Sequence, residues 1–143
     1  MSFDVEASTT ISAPRESVFR LLSDFGSWAR WMPPSFTPAE WTSGKLTAGQ
    51  VLKMKIAYLP IAQPIEVYVV DPFKEITWGG GNPKLLSARH RFLFEDAGEG
   101  KTLVRSVETW EGGAERFLKP IVSRAAAAIG KAQLAALKRE SER

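Results

Sequence analysis

Phe3, Val5, Ala7, Thr9 and Ile11 alternate with Asp4, Glu6, Ser8 and Thr10, and this period of two predicts a half-buried strand. Ser12-Ala13-Pro14-Arg15-Glu16 then reads as a helix start, with Pro in the first turn and an early Glu. Val18, Phe19, Leu21 and Leu22 give that short helix its apolar stripe. Ser23 to Ser27 breaks it and caps a second short helix that carries Trp28 and Trp31. Met32-Pro33-Pro34 ends this one, because proline disfavours the helical conformation in the residue before it.

From there the pattern predicts consecutive strands. Phe36 to Trp41 is the first, followed by a turn at Ser43-Gly44-Lys45. Leu52, Met54, Ile56 and Tyr58 alternate with Val51, Lys53, Lys55 and Ala57 in the next. Ile65 to Val70 closes at Asp71-Pro72, and Glu75 to Trp78 stops at Gly79-Gly80-Gly81-Asn82-Pro83, which reads as a flexible loop. Leu86 to Glu95 and Thr102 to Glu111 flank the five-residue turn Asp96-Ala97-Gly98-Glu99-Gly100, a hairpin signal. After Gly112-Gly113 the period becomes helical. Phe117, Ile121, Ala125, Ala128 and Ala132 recur at three- and four-residue steps, with Leu118, Val122, Ile129, Ala136 and Leu137 beside them. Pro120 is tolerable there because it lies in the first turns. A helix from about Ala114 to Arg139 spans roughly 39 Å.

One strand, two short helices, six more strands and one long helix make an α+β layout in a single domain, residues 1–143. Antiparallel strands twist and curl, and the long helix must bury its stripe against the concave face. The middle of that stripe is mostly alanine, and small side chains facing a curved sheet leave space. An apolar cavity between helix and sheet is therefore expected, unless Trp78, Phe92, Phe94 and Trp110 fill the room opposite the alanines.

Composition narrows the partners. The chain has 143 residues, 44% hydrophobic and 24% charged, as expected of a folded domain that needs no staples. It has no cysteine, which excludes disulfides, thiolate metal sites and cysteine nucleophiles; a cytoplasmic location fits. No apolar run is long enough to span a membrane, and the acidic, alternating N-terminus lacks a signal-peptide profile. Residues 114–143 carry seven Lys/Arg against three Asp/Glu, leaving twelve against thirteen on residues 1–113. The basic excess thus sits on the last helix, spaced as a solvated face that leaves room for transient membrane contact. No basic cluster interleaved with stacking aromatics points to nucleic acid.

Ser12-Ala13-Pro14-Arg15-Glu16-Ser17-Val18-Phe19 resembles the opening of START-like domains, the SRPBCC superfamily with its polyketide cyclase/dehydrase-like and lipid-transport members. Asp24, Trp28, Trp31 and Pro33 at their spacing add to it, as do Val70-Asp71-Pro72 with Ile76-Thr77-Trp78. So do His90, Phe92 and Phe94, and the run from Gly100 and Thr102 to Glu108 and Gly112. The resemblance covers nearly the whole chain. It implies a helix-grip fold, a curved seven-stranded antiparallel sheet wrapped around a long C-terminal helix, with an apolar ligand chamber. It implies no particular reaction, since members include carriers, cyclases, hydrolases and co-chaperones, and the chain has no iron or Rieske ligand set.

His90 is the one histidine, on the apolar face of its strand. If the hairpin pairs Phe94 with Val104, then Phe92 meets Ser106 and His90 meets Glu108, facing the chamber. A carboxylate beside an imidazole would stabilise its protonated form and orient it as a general acid/base; the same pair would also serve as a buried couple satisfying itself. Glu66 and Tyr68 share one face of their strand, and either face is open as the inner one. Arg89 and Arg91 lie opposite His90, toward solvent.

The expected ligand-facing residues are Trp31, Met54, Ile56, Tyr58 and Trp78 from the first half of the chain. His90, Phe92, Ser106, Glu108 and Trp110 follow from the hairpin, with Ile121 and Ala125 from the last helix. The leading expectation is binding of a small hydrophobic or amphipathic molecule, with no cofactor or metal and a monomer or weak dimer. The alternatives are a cyclase or dehydratase using His90 and Glu108 as acid and base, and a protein-docking module that uses the apolar loop Leu59 to Pro64.

Overall fold

The first strand, β1 (Ser2–Ile11), pairs along its length with the last, β7 (Thr102–Glu111), from Ser2 opposite Glu111 to Ile11 opposite Thr102. Between them, a computed structural model describes residues 2–40, 44–57 and 59–143 of the chain. Helix α1 (Arg15–Ser23), a 3₁₀ turn (Phe25–Ser27) and α2 (Trp28–Trp31) carry the chain from β1 to the opposite edge of the sheet. There β2 (Phe36–Pro38) begins a meander through β3 (Val51–Ile56), β4 (Gln63–Asp71), β5 (Glu75–Asn82), β6 (Leu86–Asp96) and β7. The result is one seven-stranded sheet in the order β1-β7-β6-β5-β4-β3-β2, every pair antiparallel. The crossing helices make this closure possible: they let β1 wait at one edge until β7 arrives beside it.

Helix α3 (Glu115–Ser141) lies against β1, β7 and α1. Its start is pinned to the β5–β6 turn, where the N–H of Gly113 donates to the carbonyl of Lys84 at 3.0 Å and that of Ala114 to Leu85 at 2.8 Å. Gly112 sits at φ +140°, and a Cβ there would lie 2.4 Å from the Leu85 carbonyl oxygen, so the approach requires glycine. The far end is tied to the end of β1 and the link that follows it. Lys138 Nζ donates to the Thr10 carbonyl and to Glu142, both at 2.7 Å, and Glu142 accepts from the Ser12 N–H at 2.7 Å. Both ends of α3 are thus held independently of what lies under its middle.

The core is densest near α1 and α2. Trp28 packs on Phe25, Phe36 and Trp78, and its indole N–H donates to the Leu22 carbonyl at 2.9 Å. Trp31 donates to Ser27 Oγ at 2.8 Å. Thr102, fully buried, donates to the Ala13 carbonyl at 2.7 Å and fastens the entry of α1 to β7. A buried indole or hydroxyl without such a partner would cost stability, and these three have one.

Two expectations are corrected. The glycine run does not loop out: β5 continues through Gly79, Gly80 and Gly81 to Asn82, paired with Leu86 to Arg89 of β6. A Cβ on Gly79 would lie 2.3 Å from the Ala88 carbonyl oxygen, so glycine permits the close approach of two strands. The stripe of α3 is also rotated. Ala126, Gly130, Gln133, Leu134, Ala136 and Leu137 are buried, whereas Phe117 and Ile121 are 77% and 70% exposed. The helix is apolar over a wide arc, so periodicity alone did not select which part of it meets the sheet. On β4, Ile65 and Val67 turn inward and Glu66 outward; Arg89 stacks its guanidinium 4.1 Å over the Tyr68 ring outside.

Candidate functional site

Toward the start of α3 the interior is hollow. The cavity measures about 520 Å³ and lies between β5, β6 and β7 on one side and the middle of α3 on the other. Small residues stand on both walls. Gly79, Gly80, Gly81 and Ala88 line the sheet side, opposite Ala125 and Ala126 of the helix. At the other end of the sheet, Phe92 and Phe94 do fill the space, with Phe94 edge-on to Phe19. Trp78 and Trp110 border the hollow and leave it open. The mouth is rimmed by exposed Leu59 and Leu85.

Of the expected ligand-facing residues, Ile56, Trp78, His90, Glu108, Trp110 and Ala125 line this cavity. The structure places others elsewhere. Met54 and Phe92 are fully packed core, Trp31 braces α2, and Ile121 points to solvent on the exposed arc of α3. Ser106 is hydrogen-bonded to His90 Nε2, and its Oγ lies 3.7 Å from where a Cβ on Gly130 of α3 would sit. Tyr58 falls outside the described residues, as do Trp41, at the end of the expected second strand, and Ser43 in its turn. Sequence reasoning missed Gln63, Phe36, Val122, Ile129 and Gln133 on the wall. Gln133 carried a usable signal, being the one uncharged polar side chain within the alanine-rich stretch 125–137.

The register of the β6–β7 hairpin puts His90 opposite Glu108 and Phe92 opposite Ser106. His90 Nδ1 stands 3.2 Å from Glu108 Oε1, and His90 Nε2 stands 2.6 Å from Ser106 Oγ. Both ring nitrogens are therefore engaged, in a line from Ser106 through the imidazole to the carboxyl. Phe92 stacks on the imidazole at 4.2 Å between ring centres, and Trp78 meets it edge-on.

The electrostatics of the pair correct the sequence reading. Burial disfavours charge on the imidazole and holds the His90 pKa down to about 3, so the ring is neutral at ordinary pH. Burial likewise raises Glu108 to about 7, opposed by the Trp110 indole N–H, which leans toward the carboxyl without closing a hydrogen bond. The carboxyl, not the imidazole, is thus the group that changes charge near neutrality. With Glu108 ionised, Nδ1–H donates to Oε1 and the Ser106 hydroxyl donates to Nε2. Nitrogen-detected imidazole spectra are expected to keep His90 neutral from pH 5 to 8; a protonated ring at pH 6 would contradict this assignment.

Among the described residues no group of three or more His, Cys, Asp or Glu could hold a metal ion, and no helix is long and apolar enough to cross a membrane.

Residues 2–142 match the family described as polyketide cyclase/dehydrase and lipid transport. No curated protein is significantly similar in sequence. Among solved structures, the KanY protein superposes with a TM-score of 0.78 at 19% identity, over 100% of this chain and 99% of that one. The Zhui aromatase/cyclase from Streptomyces sp. R1128 gives 0.71 at 18% identity, over 100% and 95%. Norcoclaurine synthase from Thalictrum flavum gives 0.72 at 12% identity, over 98% and 86%. At these identities the likeness is one of fold, the helix grip of START-like proteins.

Proposed function

Because the chain belongs to the polyketide cyclase/dehydrase and lipid transport family, we propose that it binds one small apolar or amphipathic molecule in the cavity between the sheet and α3. The observation that carries this reading is the hollow itself. Its volume of about 520 Å³ falls within the range of pockets that enclose small ligands, roughly 300–1,000 Å³. Its walls are mainly Gly, Ala, Ile, Leu, Phe and Trp, so the driving force is removal of apolar ligand surface from water, ~25 cal/mol per Å² before ordering costs. The molecule enters past Leu59 and Leu85, at the end of α3 where Phe117 and Ile121 are bare. Native mass spectrometry of the chain titrated with an apolar polycycle such as pyrene is expected to give a saturable one-to-one complex. A chain that stays bare at every pyrene concentration would overturn the reading.

A second reading is favoured by one observation: a carboxyl that titrates near pH 7 faces the cavity. In a cofactor-independent cyclase, the Glu108 carboxylate would remove a proton from a carbon next to a carbonyl. The electron pair left behind would form a carbon–carbon bond to a second carbonyl of the same molecule. Glu108 would then return the proton to the resulting alkoxide. His90, neutral and anchored by Ser106, would orient the carboxyl by donating Nδ1–H to Oε1, leaving Oε2 to take and return the substrate's proton.

A further inference from the structure

The cavity wall has a polar corner whose chemistry selects among ligands. The Trp110 indole leans toward the Glu108 carboxyl and holds its pKa down, but Glu108 Oε2, Trp110 Nε1 and Gln133 Oε1 each lack a partner in hydrogen-bond geometry, and all three residues line the cavity. Gln133 is only 3% exposed. A buried polar atom without a partner costs stability, and three around one hollow form a site waiting for a complementary group. His90 offers nothing to a ligand, since Glu108 occupies Nδ1 and Ser106 occupies Nε2. What remains is two acceptors and one donor. No Lys or Arg lies on the cavity wall among the described residues, so a ligand carboxylate or phosphate would be desolvated beside Glu108 with no cation to receive it.

We infer that the ligand is an uncharged molecule bearing a hydroxyl group, an alcohol, phenol or enol, seated in this corner. Its O–H donates to Glu108 Oε2 or Gln133 Oε1 while its oxygen accepts from the Trp110 indole N–H, and anionic lipids are rejected. This rests on the ligand-binding reading above and adds the chemical class of the ligand to it.

The test compares three compounds of similar shape by calorimetric titration at pH 8: naphthalene, 2-naphthol, which is uncharged there, and 2-naphthoate, which is ionised. The naphthol is expected to bind about tenfold more tightly than naphthalene, the equivalent of one or two net hydrogen bonds. The naphthoate is expected to bind at least ~100-fold more weakly than the naphthol, because its charge is buried unpaired. Trp110→Phe and Gln133→Leu, made separately, are each expected to move the naphthol-to-naphthalene affinity ratio toward one. Naphthoate binding as tightly as naphthol, or a ratio unmoved by both variants, would overturn the inference while leaving the apolar cavity standing. Failure of all three compounds to bind would overturn the ligand-binding reading and this inference together.

Discussion

Glu108→Gln is expected to make the folded chain more stable at pH 8, by about 3 kcal/mol, while slowing any acid–base turnover in the cavity by ~10²–10⁴-fold. The stability gain follows from proton linkage. The carboxyl goes from its ordinary 4.5 when exposed to about 7 when buried. From pH 4.5 to about 7, the folded chain keeps a proton that the unfolded chain has lost, so Glu108 lowers stability as pH rises through that window. His90 acts oppositely. Its pKa falls from 6.5 to about 3 on folding, so between those values the unfolded chain holds a proton that the folded chain lacks, and stability rises with pH. Between pH 4.5 and 6.5 the two slopes oppose and the pair contributes a plateau, with a fall on the acid side and a smaller one on the alkaline side.

Replacing the carboxyl by an amide of the same shape removes the alkaline fall. Urea midpoints measured from pH 3 to 9 are expected to rise to about pH 6.5 in the variant and then stay level. A variant less stable than the parent at pH 8 would contradict the assignment of a buried, destabilising carboxyl. The combination of higher stability and lower rate is the one expected where strain is retained for chemistry. If the chain only carries its ligand, affinity for an apolar compound in the variant should stay within about tenfold, the worth of a single hydrogen bond.

The hairpin that builds this pair was legible in the sequence because its turn is short. Five residues between two alternating runs leave one register in which both apolar faces point inward, and that register sets His90 opposite Glu108. The protonation state was not legible. A carboxylate beside an imidazole reads as an ion pair until the burial of both is known, and the ring is only 4% exposed. Nor was the role of Ser106. It shares a strand face with Glu108, but its bond to His90 Nε2 is diagonal across the pair, and strand alternation reports faces, not diagonals.

The glycine run was misread for a related reason. Gly79 to Gly81 have no side chains to alternate, so a strand that needs glycine for close backbone contact resembles a loop. The order of elements and the closure of the sheet depend on turn signals and runs of alternation, which the chain carries in most of its length. The hollow was legible from the alanines of α3 alone, but the part of the sheet that walls it includes the glycines of β5, which had been read as a loop.

That location is also where the second large effect is expected. Ala125 is half-buried and lines the cavity, so a large side chain there is expected to extend into the empty space. Ala125→Trp should therefore abolish room for a ligand at little cost to the fold, with an affinity loss of at least ~100-fold, since overlap with the occupied volume removes most of the apolar contact. The unfolding midpoint should stay the same or rise, because the indole covers apolar wall that water now reaches. A surface-bound ligand would be indifferent to this change.

Calorimetric titration of 2-naphthol into the parent and into Ala125→Trp, both shown folded by their unfolding transitions, tests the hollow most directly. The account predicts one saturable site in the parent and none measurable in the variant. Equal affinity in the two proteins would place the ligand outside the cavity and contradict the account.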